Sequence, residues 1–188
     1  ATFLPLFLGE TSNHNKKGYF VSLCVVQTKK IAARSQRGKL NVTLTQRSGK
    51  NVKIVLPEGE DERVLTAATQ LQESDYVSPI VLGNEEKIKS LAEEKSLNLT
   101  NIEIIDPSSS DLKPELVDEF VERRKGKATK EQAEEMLDNV NYFGTMLVYT
   151  GKAAGLVSGA AHSTGDTVRP ALQIIKTKPG VSKTSGIF

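Results

Sequence analysis

Ser158-Gly159-Ala160-Ala161-His162-Ser163-Thr164-Gly165-Asp166-Thr167-Val168-Arg169-Pro170 lies between a short apolar run, Gly155-Leu156-Val157, and an amphipathic segment, Ala171-Leu172-Gln173-Ile174-Ile175-Lys176. That order reads as strand, glycine-rich turn, helix. A turn of this kind aims backbone N–H groups and a helix N-terminus at an anion. Ser163 and Thr164 add hydroxyl donors, and Arg169 adds a planar cationic fork suited to phosphate. Spacing alone leaves two readings open: an anion-binding loop, or a tight turn whose Arg169 pairs with a surface carboxylate.

Upstream, strands and helices alternate. Val52-Lys53-Ile54-Val55-Leu56 predicts a buried strand ended by Pro57, and Pro79-Ile80-Val81-Leu82 a second one stopped by Gly83-Asn84. Ile102-Glu103-Ile104-Ile105-Asp106 predicts a third, before the turn residues Pro107-Ser108-Ser109-Ser110. Between them, 60–73 places Val64, Leu65, Ala68 and Leu71 on one helical face, and 85–95 does the same with Ile88, Leu91 and Ala92. Pro114 opens a further helix with Leu116, Val117, Phe120 and Val121 inward and Arg123-Arg124-Lys125 at its end. Thr129 with Gln132 predicts a capping box for a helix running to about Tyr149. The pattern implies a three-layer α/β/α domain with a mainly parallel sheet.

The chain has 188 residues, 26% charged and 38% hydrophobic, which fits a globular protein and excludes a disordered one. The net charge of +2 hides an asymmetry: residues 1–50 carry nine Lys/Arg against the single acid Glu10, whereas the remainder is acidic. Such a jump suggests two unlike pieces, a basic leader over 1–47 and a folded unit after it. The leader is read as disordered or artefactual. Its apolar start, Phe3 to Leu8, is too short to span a bilayer and lacks the charged flank of a signal peptide. One cysteine, Cys24, excludes an internal disulfide, and it offers no metal spacing with His14 and His162. No membrane or nucleic-acid partner is expected, and a cytoplasmic setting is the simpler inference.

Ser158–Pro170, with Gln173-Ile174-Ile175-Lys176-Thr177 and Thr184-Ser185-Gly186-Ile187-Phe188 after it, resembles the signature of the phosphate acetyltransferase family. Val55-Leu56-Pro57-Glu58-Gly59-Glu60-Asp61-Glu62-Arg63 and Val121-Glu122-Arg123-Arg124-Lys125-Gly126-Lys127 are similar to that family as well, in the same order. The resemblance implies reversible acetyl transfer between acetyl-CoA and phosphate, giving acetyl phosphate and coenzyme A, with coenzyme A as substrate and no permanently bound cofactor. It implies substrate binding by Arg124, Ser163, Thr164 and Arg169, a coenzyme A contact for Arg63, and an orienting role for His162.

The family's general base is an aspartate near the C-terminus, so no catalytic base is expected within these residues. Asp166 reads as a cap rather than a substitute. The expected layout is an N-terminal acyltransferase domain over 48–180 and the start of a second domain at 181–188. That is a truncated, inactive half of a homodimeric two-domain cleft enzyme. Without the resemblance, Arg124 is a cation at a helix C-terminus and Arg63 a partner of Glu60. The competing function is a non-catalytic phosphate- or coenzyme-A-binding α/β module.

Overall fold

Side chains of the central strands alternate between two apolar layers, and this alternation sorts the helices onto two faces of one sheet. The computed structural model describes residues 6–10, 19–26, 52–73 and 77–176, the first two segments as strand backbone. The expectations for Thr177, for the family motif at 184–188 and for a second domain from 181 lie outside the described residues.

Among the described residues six strands form the sheet: β1 (Leu6–Glu10), β2 (Tyr19–Val26), β3 (Val52–Leu56), β4 (Val77–Leu82), β5 (Glu103–Ile105) and β6 (Gly155–Ser158). Their order is β1-β2-β6-β3-β4-β5. The four strands β6, β3, β4 and β5 run parallel, with Val55 opposite both Ile80 and Leu156. β1 and β2 add antiparallel pairs beyond β6.

Six helices are described: α1 (Glu62–Glu73), α2 (Glu85–Glu94), α3 (Lys113–Arg124), α4 (Lys130–Leu137), α5 (Val140–Tyr149) and α6 (Thr164–Ile174). Leu56 and Val81 face α1 and α2, packing with Val64, Leu65, Ala68, Ile88 and Ala92. Val55, Ile80, Leu82 and Leu156 face the other way, onto α3 to α6. Phe120 and Phe143 are completely buried in that second layer, each contributing about 2–3 kcal/mol by area. The architecture is the expected α/β/α sandwich around a mainly parallel sheet.

Two local expectations needed correction. The capping box forms as read: Thr129 Oγ1 accepts from Gln132 N at 3.3 Å, and Thr129 N donates to Gln132 Oε1 at 3.1 Å. The helix it opens ends at Leu137, however, because Asn139 starts another. The Asn139 carboxamide oxygen accepts from Asn141 N at 2.9 Å and Tyr142 N at 3.3 Å. A side chain that satisfies two first-turn donors re-initiates the helix in a new direction. α5 is thereby laid flat on the sheet, buried from Phe143 to Val148.

The second correction concerns the glycine-rich stretch. The helix begins at Thr164 rather than after Pro170, since Ser163 Oγ accepts from Asp166 N at 3.2 Å as its N-cap. Arg169 and Pro170 are therefore helical residues of α6, and the loop proper is only Gly159 to Ser163. Asp166 is the third helical residue, and it accepts back from Ser163 Oγ at 2.6 Å. Among the described residues no helix is long and apolar enough to cross a membrane.

Candidate active site

β3 and β6 are neighbours, but the chain leaves β3 for β4 on one side and returns to β6 on the other. Ligands of open α/β sheets gather at such a reversal, beyond the carboxyl ends of the strands. The segments found there are Pro57–Asp61 after β3 and Gly159–Ser163 after β6. Gly159 adopts φ +117°, a conformation open to glycine, and this turns the chain sharply out of β6.

The loop folds around a carboxylate. Glu58 Oε2 accepts from Gly159 N at 3.0 Å and Ala160 N at 2.8 Å, and Oε1 accepts from Ala161 N and His162 N, both at 2.9 Å. His162 Nδ1 lies 2.8 Å from Oε1. A carboxylate only accepts, so Nδ1 carries the proton and Nε2 is the ring atom left for other contacts. The Glu58 side chain is 2% exposed. Burial pushes its carboxyl pKa up, but the amides of Ala161 and Ala160, the His162 ring and the His162 amide outweigh burial and hold it below the ordinary value.

The same loop is held from its other side. Arg63 Nη2 donates to Ala160 O at 2.7 Å, while Nε and Nη2 form a bidentate pair with Asp61 at 3.0 and 2.7 Å. The Arg63 hydrogen bonds hold the Asp61 carboxyl below its ordinary pKa, against the effect of burial. Arg63 does not pair with Glu60, which instead accepts from Asn84 N and Lys87 Nζ. Beneath the loop, Ser158 Oγ donates to Asn141 Oδ1 at 2.8 Å, and Asn141 is 1% exposed.

Arg124 and Arg169 lie on different helices, α3 and α6, and both act electrostatically on Tyr142 of α5. Burial raises the Tyr142 phenol pKa, and Arg169 and then Arg124 oppose it. Tyr142 OH donates to Gln173 Oε1 at 3.2 Å. Arg169 reaches back along α6, its Nη2 4.0 Å from the point where a Cβ would stand on Gly165. Among the described residues neither guanidinium has a hydrogen bond or an ion pair, and Arg124 Nε is buried without an acceptor. Arg123 differs: its Nη2 donates to Ile175 O at 3.0 Å and its guanidinium stacks 5.0 Å over Tyr149, tying α3 to the end of α6. Lys176 nearby is lowered in pKa by desolvation and by repulsion from Arg123, Lys125, Lys127 and Arg124. This corner of the molecule is strongly positive.

The residues singled out in the sequence therefore divide into two groups. Arg124 and Arg169 both act electrostatically on Tyr142. Thr164 is exposed at the start of α6, and Ser163 is engaged as its cap. Arg63 and His162 serve the loop, one at its carbonyl and one at Glu58. Glu58 and Tyr142 gave no signal of their own, because the partners that define them lie 104 and 31 residues away. No group of three His, Cys, Asp or Glu side chains able to hold a metal occurs among the described residues.

Comparison with known proteins agrees with this fold. The family model described as Phosphate acetyl/butaryl transferase matches residues 40–188. Phosphate acetyltransferase of Staphylococcus epidermidis is 83% identical over 149 residues, covering 79% of this chain and 45% of that protein. The Staphylococcus aureus protein of the same name is 77% identical over the same span. Among solved structures, EutD phosphotransacetylase from Staphylococcus aureus superposes with a TM-score of 0.71 at 73% identity, covering 76% of this chain and 44% of that one. A phosphotransacetylase from Streptococcus pyogenes gives 0.68 at 48% identity, covering 77% and 46%. The chain spans less than half the length of the relatives it matches.

Proposed function

Since the chain belongs to the phosphate acetyl/butyryl transferase family, we propose that it supplies the phosphate-anchoring wall of a phosphate acetyltransferase. That enzyme moves an acetyl group reversibly between coenzyme A and inorganic phosphate. The observation that carries this reading is that Arg124 and Arg169, on separate helices, both act electrostatically on Tyr142 while neither guanidinium has an acceptor among the described residues. Most arginines near carboxylates pair with them, so two guanidinium groups left unpaired among the described residues are available for an anionic ligand.

In the direction of acetyl-CoA synthesis, the thiolate of coenzyme A attacks the carbonyl carbon of acetyl phosphate. The C–S bond forms, the tetrahedral oxyanion collapses, and the C–O bond to phosphate breaks, releasing phosphate with its electron pair. Arg124 and Arg169 would hold the phosphoryl oxygens through this change, with the Thr164 hydroxyl and the positive end of α6 beside them. Ser163 acts mainly by fixing that helix end. Arg63 is assigned to the loop first and to a coenzyme A contact second.

No residue of this chain is assigned as the thiol's base. The family resemblance puts an aspartate beside a Ser-Arg pair in the part of the relatives that this chain does not span. The proposed unit is thus an acyltransferase domain over 48–180, inactive by itself, and cytoplasmic and homodimeric as part of the whole enzyme.

Calorimetric titration with inorganic phosphate tests the assignment. Saturable binding is expected, weakened at least about tenfold by Arg169→Ala or Arg124→Ala, the cost of losing a charge-assisted contact. Absence of saturable binding, or binding indifferent to both substitutions, overturns it. Acetyl-CoA formation from acetyl phosphate, followed at the thioester absorbance, is expected to be absent for the 188 residues alone. Binding without transfer, even after joining to the remaining length of a staphylococcal relative, would favour a non-catalytic anion-binding module.

A further inference from the structure

The four consecutive amides from Gly159 to His162, in the loop that sequence marks for an anionic ligand, all donate to one side chain of this chain. A run of backbone N–H groups curled around one point is an anion-binding nest. Here the nest is already full. We propose that Glu58 is a positioning residue of the acyl-transfer site: its carboxylate is the resident anion of the loop and fixes the geometry from which Thr164 and Arg169 face the substrate. The proposal rests on the reading of Arg169 as a phosphoryl anchor.

Both ends of this arrangement are rigid. Glu58 follows Pro57 at the end of β3, and Gly59 N donates to Leu82 O at 3.0 Å. A Cβ at Gly59 would lie 2.3 Å from Val81 Cγ1 and 2.8 Å from Leu82 O, so the strand end sits hard against β4 and cannot drift. On the loop side, Arg63 holds Ala160 O while Ala160 N is held by Glu58. The carboxylate then also takes His162 Nδ1, which fixes the ring and directs Nε2 away from it. From this clamped loop the chain passes directly into the Ser163 cap and α6, which carries Arg169 one and a half turns on.

Two consequences follow for the ligand. The loop is formed before any substrate arrives, so binding does not have to order it. The four amides are also unavailable to phosphate, which leaves side chains as the anchors. Substrate discrimination is thereby shifted from a backbone cradle to the side chains of Arg124 and Arg169.

Glu58→Ala, with formate as the probe, separates this role from simple packing. The variant's melting midpoint is expected to fall by about 10 °C, as for breaking a buried charged cluster in a chain of this size. The amides of residues 160–162 are expected to lose hydrogen-exchange protection. Formate, which matches the missing carboxylate, is expected to restore both saturably in the variant and to leave the wild type unchanged. Amide protection that survives the substitution, or a formate effect equal in both proteins, overturns the proposal. Should Glu58→Ala fail to fold, Glu58→Gln keeps the side chain's shape. Its phosphate affinity is expected to fall at least tenfold, with His162 losing its Nδ1–H tautomer preference in ring-nitrogen spectra. Wild-type affinity and tautomer in that variant overturn it as well. Failure of the wild type to bind phosphate would instead remove the Arg169 reading, while formate rescue would still decide what fills the nest.

Discussion

Arg63 Nη2 donates to the carbonyl oxygen of Ala160 at 2.7 Å, joining the first turn of α1 to a loop 97 residues further along the chain. This contact and the Asp61 pair use the guanidinium as a brace, with the side chain still 65% exposed. Arg63→Ala is expected to cost about 1 kcal/mol, the net value of one or two partly exposed hydrogen bonds. It should also raise the exchange rate of the Ala160 and Ala161 amides. Urea unfolding with hydrogen exchange checks both, and a variant with unchanged loop protection would refute the brace.

Acid should act through Glu58 and Asp61. Both carboxyls lie below their ordinary values of 4.5 and 3.8 in the folded chain. A lowered folded-state pKa adds stability that is complete above the unfolded value and is lost as pH falls through the folded one. Glu58→Gln is therefore expected to be about 3 kcal/mol less stable than wild type near pH 7, with the gap narrowing as pH falls below 4.5 and through the folded value. Melting midpoints of both proteins between pH 7 and pH 3 measure this. A gap that stays constant across the range would show that the Glu58 charge contributes nothing.

Arg124 and Arg169 should behave oppositely to Arg63. Neither has a partner to lose among the described residues, so Arg169→Ala is expected to change stability by no more than about 0.5 kcal/mol. Arg124→Ala frees the unpaired buried Nε and is expected to be neutral or slightly stabilising. Thermal unfolding without phosphate and again with it supplies the check: the phosphate-dependent shift should vanish while the ligand-free midpoint holds.

Gly144 sets how closely α5 lies on the sheet. A Cβ there would stand 2.7 Å from Leu156 Cδ1, 3.0 Å from Val55 Cγ1 and 3.2 Å from Leu82 Cδ1. Its contacts come from β6, β3 and β4 together, so no single side chain can swing away. Gly144→Ala is expected to destabilise by about 1–3 kcal/mol despite alanine's better helix propensity, because overpacking outweighs the propensity gain of about 1 kcal/mol. A stabilised variant in urea melts would show that α5 has room to lift.

The alternation of apolar runs with 3.6-period stripes was enough to establish a parallel α/β/α sandwich, and it marked Val55, Leu65, Ile88 and Phe120 as core. Local chemistry was equally legible: the Thr129–Gln132 box lies within four residues and formed as read. Arg124 and Arg169 stood out through the resemblance of their motifs.

What sequence left undecided was each partnership across long stretches of chain. Whether Arg63 pairs with Glu60 or with Asp61 and Ala160 depends on where β6 ends relative to β3. Whether the glycine-rich amides wait for a ligand or close on Glu58 depends on the same neighbouring of strands. An anion-binding loop has one signature whatever anion fills it, since its donors are backbone N–H groups common to nearly every residue. Only the tertiary fold, by setting β3 beside β6, decided that the anion belongs to the chain itself.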